Sequence, residues 1–181
     1  MAYEKEIKLI KKGGIGVFPT DTLYGIVGSA HSKPVVERIY IAKGRSNHKP
    51  FIILISSVND LKKFDIKINK KQKEYLESVW PGPVSVILPC KTKKFEYLHR
   101  GKKSLAFRLP KKKKVLEFIK KTGPLVAPSA NPQNQIPAHT ISEAKDYFGG
   151  DMDFYINGGL LGAKPSKIVF LTDKGVRVLR D

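Results

Sequence analysis

The apolar positions of this chain fall into short runs with two different periods. Compact runs at residues 15–18, 51–55, 84–88, 105–109, 167–171 and 176–179 have the length and the β-branched or aromatic content of strands. Leu125 to Ala127 reads as a further short buried strand, ended by Pro128, which has no N–H to continue a ladder. Between these runs the spacing is helical. Residues 4–12 read as a short helix closed by Gly13-Gly14, because glycine accepts the left-handed conformation that ends a helix. Residues 34–43 set Val35, Val36, Ile39, Tyr40 and Ala42 on one broad face. Asn69 caps a helix running to about Val79 and stopped by Pro81-Gly82-Pro83. Residues 111–121 predict a basic helix with Val115, Leu116 and Ile119 turned inward. Thr140-Ile-Ser-Glu143 has the spacing of a capping box that opens another helix. Strands and helices alternate, and a turn at Asp173-Lys174-Gly175 joins the last two strands. The pattern predicts an α/β fold with a mixed sheet. It shows no repeat and no compositional break, so residues 1–181 read as a single domain.

Composition adds exclusions. No apolar run approaches the roughly 20 residues needed to span a bilayer, and the opening Met-Ala-Tyr-Glu-Lys-Glu lacks the form of a secretory leader. Cys90 is the only cysteine, which rules out an internal disulfide and a cysteine-based zinc site. A cytoplasmic protein with no membrane contact is expected. Charge changes the picture more. Lys and Arg number 34 against 16 acids, a net charge of +18. Residues 91–121 carry 13 cations against Glu96 and Glu117. Such a field draws polyanions, so weak RNA or tRNA binding is expected. The same lysine excess also suits a solvated face or a thermophile protein.

Candidate chemistry sits at the ends of the predicted elements, where open α/β sheets bind ligands. Ser129 and Asn131, just after the strand ending at Ala127, offer a hydroxyl and a carboxamide to one polar ligand. Pro19-Thr20-Asp21-Thr22-Leu23-Tyr24-Gly25 follows the first strand, with groups that suit an amino acid or a ribose. Lys43-Gly44-Arg45 ends a helix, where cations are favoured by the dipole; with Lys49 and His48 it makes a compact phosphate site. Arg108 is embedded in Leu105-Ala-Phe-Arg-Leu-Pro110. A guanidinium there is costly unless a carboxylate meets its fork, and that carboxylate is either internal or a substrate's. Pro165-Ser166-Lys167 opens the second-last strand. There is no Gly-x-x-x-x-Gly-Lys-Ser/Thr loop, no Gly-x-Gly-x-x-Gly and no Gly-x-Ser-x-Gly elbow. His31, His48, His99 and His139 are not spaced as zinc ligands.

In order along the chain, Pro19-Thr-Asp-Thr-Leu-Tyr-Gly25, Lys43-Gly-Arg45, Trp80-Pro-Gly-Pro83, Leu105-Ala-Phe-Arg108, Pro128-Ser-Ala-Asn131, Pro165-Ser166 and Val176-Arg-Val-Leu-Arg180 resemble the YrdC/TsaC family of L-threonylcarbamoyladenylate synthases, in its single-domain branch. The resemblance implies a twisted mixed-sheet YrdC-like domain with a concave basic groove. It implies a nucleotidyltransferase that makes threonylcarbamoyl-AMP and diphosphate from L-threonine, bicarbonate and ATP. A partner threonylcarbamoyl transferase then completes N6-threonylcarbamoyladenosine in tRNAs reading codons that start with A. On this resemblance Lys43 and Arg45 are catalytic. Thr20, Arg108, Ala127 and Ser166 bind L-threonine. Lys43, Arg45, Asn47, Ser104, Ser129, Asn131 and Pro137 bind ATP. Magnesium is expected with ATP, although no carboxylate cage is visible in the sequence. Two departures stand out: the family often continues Ser-Ala-Asn with x-Ser-Gly, where this chain has Pro132-Gln133-Asn134, and some members carry a His where this chain has Ile52. The competing reading of the basic surface is a non-catalytic RNA-binding or maturation module. A third is a carbamoyl-transfer domain cut from a larger enzyme.

Overall fold

In the computed structural model, residues 3–181 are described; Met1 and Ala2, at the start of the expected domain, lie outside the described residues. The chain opens with helix α1 (Glu4–Lys11), a hairpin of strands β1 (Gly16–Pro19) and β2 (Tyr24–Ser29), and helix α2 (Lys33–Lys43). Strand β3 (Ile52–Leu54), helix α3 (Lys70–Val79), strand β4 (Val84–Pro89), the short α4 (Glu96–His99) and strand β5 (Ser104–Arg108) follow. The last part holds α5 (Lys113–Thr122), β6 (Leu125–Val126), α6 (Ile141–Phe148), β7 (Phe154–Tyr155) and the hairpin β8 (Lys167–Thr172) with β9 (Gly175–Arg180). The strands form one mixed sheet in the order β7-β1-β2-β6-β3-β5-β4-β8-β9.

Local chemistry accounts for most boundaries. Gly13 (φ 89°) and Gly44 (φ 56°) adopt the left-handed turn that closes α1 and α2. Reciprocal side-chain and backbone bonds form the capping boxes Asn69/Gln72 on α3 and Thr140/Glu143 on α6. The proline-rich motif after α3 is structural: the Trp80 indole donates to the Val84 carbonyl and the Gly82 amide to that of Leu109.

Two expectations need correcting. On α5 the fully buried residues are Val115, Phe118 and Ile119, so Phe118 completes the i, i+3, i+4 stripe, and Leu116 packs half-buried against the core. Strand β2 was not expected, because Tyr-Gly-Ile-Val-Gly-Ser carries two glycines, which weaken strand propensity. Packing overrides that weakness, since β2 runs through the sheet interior beneath α2.

Successive strand residues face opposite sides. Val17, Ile26, Ile53 and Val126 join a core with α2 and α3, while Phe18, Val27, Leu54 and Leu125 join one with α1 and α5. Helices α1 and α5 cover only part of their face. Farther along it, Ala106, Ile87, Ile168 and Phe170 stay half-buried and form an open floor.

A methyl group on Gly28 would sit 2.5 Å from Val35 Cγ1 and 3.0 Å from Ile15 Cγ2. Gly28→Ala is therefore expected to destabilise the fold by about 1–3 kcal/mol through overpacking. Urea unfolding measures the loss, and an unchanged midpoint would show that α2 moves away without cost.

Candidate functional site

The sheet register assembles the site. Strand β8 sets Ile168 opposite Arg180 of β9 and Ser85 of β4, and the pairing of Val86 with Phe107 puts Ser85 beside Arg108 on β5. Arg108 in turn faces Leu54. Paired residues project on one face, so Arg180, Ile168, Ser85 and Arg108 make a transverse row at the edge of the open floor. A cavity of about 310 Å³ lies there, within the range of small-molecule sites. Its cations are Arg45, Arg108 and Arg180, and no acidic side chain lines it. Three guanidiniums without a lining carboxylate give the cavity a positive lining.

Arg108 is 5% exposed. Its internal partner is Asp21, Nη2 to Oδ1 at 2.9 Å, and Nη1 donates to the Thr22 hydroxyl at 3.1 Å. Its Nε has no hydrogen-bond partner among the described residues, a costly state for a buried donor. Burial lowers its pKa; Asp21 opposes that and Arg180 adds to it. The β1–β2 turn supplying these partners is braced by Thr20. Its hydroxyl donates to the Leu23 carbonyl at 2.6 Å and accepts from the Thr22 and Leu23 amides. The wall opposite is Ala127 to Ser129, held by the Ala127 amide on the Ile52 carbonyl and the Ile26 amide on that of Pro128. The Ser166 hydroxyl lies 2.9 Å from that of Ser85, and the Ser166 carbonyl accepts from Arg180 at 2.6 and 3.2 Å.

Of the expected site residues, Thr20, Arg45, Arg108, Ala127, Ser129, Pro137 and Ser166 all line this cavity. Four do not. Ser104 begins β5, four residues before Arg108, which at about 3.3 Å per residue puts it roughly 13 Å away along the strand. Asn47 is exposed in the loop after α2. Asn131 spends its amide on the carbonyls of Pro132 and Gln135 and its oxygen on the Ser129 hydroxyl, so it shapes the loop. Lys43 is buried, and its ammonium is turned onto the carbonyls of Ser129 and Asn131. Sequence spacing could not reveal that turn, because the loop it meets lies 86 residues later. Thr22 and Arg180 also line the cavity; each belongs to a motif of the chain, Pro19–Gly25 and Val176–Arg180, but spacing alone does not single out either residue. Lys112 Nζ approaches the Thr20 carbonyl at 3.5 Å and the Lys111 amide approaches Asp21 at 3.4 Å. The basic run after β5 therefore leans on the rim of the site. No lining residue offers magnesium a carboxylate, and among the described residues no group of three or more His, Cys, Asp or Glu converges. A protein-held magnesium does not fit this donor set.

Residues 8–181 match the Sua5/YciO/YrdC family, described as telomere recombination. The threonylcarbamoyl-AMP synthase of Hahella chejuensis is 28% identical, covering 91% of each chain. That of Bacillus subtilis is 32% identical over 83% of this chain, which spans only 43% of the relative. The structure of P. abyssi Sua5 complexed with L-threonine superposes with a TM-score of 0.89 at 29% identity, over 97% of this chain and 52% of the other. Among the described residues no helix is long and apolar enough to cross a membrane.

Arg108→Ala should weaken binding of an amino-acid carboxylate by roughly 2–5 kcal/mol, with a smaller effect on a nucleotide. Removing the arginine alone strands Asp21, so the double change Arg108→Ala with Asp21→Ala should recover stability without recovering binding. Calorimetric titration with L-threonine decides this, and normal binding by either variant would confine Arg108 to its internal ion pair.

Burial, with the nearby Arg45 charge, lowers the Lys43 pKa to about 7. A neutral amine still has two N–H donors for the two carbonyls it meets. The unfolded chain keeps this proton to about pH 10. Between pH 7 and 10 the unfolded state therefore binds more protons, and the fold gains stability as pH rises. Relative to Lys43→Met, the wild type should gain up to about 1.4 kcal/mol per pH unit in that window. Urea unfolding at pH 6, 8 and 9.5 measures it; a stability difference independent of pH would mean Lys43 keeps its proton.

Proposed function

The chain belongs to the Sua5/YciO/YrdC family, and from that premise we propose that it is an L-threonylcarbamoyladenylate synthase, joining L-threonine, bicarbonate and ATP into threonylcarbamoyl-AMP with release of diphosphate and water. The observation that carries this reading is the cavity's division of labour. At one end the buried Arg108, held by Asp21 and Thr22 with Thr20 beside it, suits an amino acid whose carboxylate approaches the guanidinium from the cavity side. Arg45 and Arg180 suit the phosphates of a nucleotide. Relatives named threonylcarbamoyl-AMP synthase and a threonine-bound Sua5 support the catalytic reading over a passive RNA-binding module.

In this reading threonine's amine takes up carbon dioxide or bicarbonate, and the carbamate oxygen attacks the α-phosphorus as diphosphate departs. No covalent enzyme intermediate is needed. The residues act by orientation and by stabilising charge on the phosphoryl oxygens. Ala127, Ser129 and Pro137 shape the wall between the two ends, and Ser166 fixes Arg180 through its carbonyl. Lys43 acts on this site through the Ser129–Asn131 loop, with its own ammonium turned away from the phosphates. Any magnesium would arrive on the phosphates of ATP. The product is a mixed anhydride suited to passing its acyl group to a partner threonylcarbamoyl transferase acting on tRNA.

Diphosphate release measured with each substrate omitted in turn tests the proposal. Release should fall at least tenfold without threonine or without bicarbonate. Full-rate release in the absence of threonine would refute the assignment.

A further inference from the structure

We propose that Gln133 is a positioning residue that fixes the Gly44–Ser46 turn, and with it Arg45, at a set distance from the Ser129–Asn131 loop. This inference rests on the nucleotide role given to Arg45. The motif Lys43-Gly44-Arg45 ends α2, and its backbone must change direction within three residues. Gly44 turns left-handed, and its amide and that of Arg45 return to the Ile41 and Tyr40 carbonyls. The chain then leaves the helix, and the Ser46 amide has no helical acceptor. Gln133 Oε1 accepts from that amide at 2.8 Å. On the other side of Arg45, the Gln133 amide donates to the Lys43 carbonyl, also at 2.8 Å. One residue thus holds the backbone immediately before and immediately after the two-residue segment that carries Arg45. The Lys43 side chain makes a third tie in the opposite sense, to the Ser129 and Asn131 carbonyls.

The anchor itself is stiff. Pro132 fixes its own φ, Asn134 takes a left-handed φ of 68°, and the Gln135 amide closes onto the Pro132 carbonyl at 3.2 Å. Asn131 braces the same turn through its amide on the carbonyls of Pro132 and Gln135. The guanidinium of Arg45 needs such support because its other contacts are local, to the Lys49 carbonyl at 3.1 Å and over the Phe51 ring at 5.4 Å. A serine at position 133 keeps the backbone tie and is too short for the side-chain one.

Gln133→Met keeps the length and removes the acceptor; Gln133→Ser removes the reach. Both should raise the KM for ATP about three- to tenfold, the usual worth of one hydrogen bond. The KM for L-threonine and the melting temperature should stay unchanged. Hydrogen exchange at the Ser46 amide should speed up in both variants, and calorimetric affinity for ATP should fall in parallel. The inference is overturned if Ser46 exchange does not change, if exchange rises while ATP affinity stays constant, or if ATP and threonine constants rise together with a fall in melting temperature. Exchange and ATP affinity are read without turnover. A protein that binds ATP through this tie yet releases no diphosphate would keep the inference and remove the synthase reading.

Discussion

A guanidinium buried at the end of a central strand is the constraint on which the rest of the site depends. Arg108 leaves water almost completely, and desolvating such a charge costs several kcal/mol unless opposite charge and hydrogen bonds replace the solvent. The replacement comes from one turn. Asp21 and Thr22 reach Arg108 from the β1–β2 hairpin, and Thr20 ties that turn together through its own hydroxyl. Arg108 therefore fixes where the hairpin docks, and the hairpin forms one wall of the cavity. The Asp21 ion pair leaves the Nε donor unmet, so the charge is stabilised and the fork is not fully used.

The opposite wall answers a different requirement. The segment after β6 must hold Ser129 open to the cavity without a regular ladder to support it. Its backbone is instead held by strand-edge bonds to Ile52 and Ile26, by the Lys43 side chain from below, and by the braced turn at Pro132–Gln135. Buried polar groups specify one arrangement when each is met. Here the lysine and the two carbonyls meet one another, and the loop gains a fixed position at the cost of a cation withdrawn from the cavity. The positive lining then falls to Arg45, Arg108 and Arg180, which keep their charge at any working pH.

The open floor follows from incomplete coverage of the sheet. Helices α1 and α5 bury one half of their face, and over β5, β4 and β8 the side chains of Ala106, Ile87, Ile168 and Phe170 stay half-buried. A cavity needs such an uncovered strip beside a charged row, and the mixed strand order supplies both by bringing β8 next to β4 and β9 next to β8.

Much of this was legible in the order of the residues. The periods of the apolar positions, the capping residues and the glycine stops determined most elements, because these depend on neighbours within four residues. The motifs at strand ends marked Thr20, Arg108, Ser129 and Ser166, all of which line the cavity. Tertiary structure alone decided the rest. Strand β2 forms in spite of its two glycines because α2 packs so closely that only a small residue fits at Gly28, and Gly25 lies against Pro128 and Thr20. Lys43 turns away from the cavity because two carbonyls from a distant loop meet its ammonium. Ser104 misses the site because a strand carries its two ends apart by its full length. Arg180 reaches it because register across four strands sets it in a row with Arg108. Each of these outcomes depends on which segments become neighbours in space, and local spacing along a chain carries no record of that.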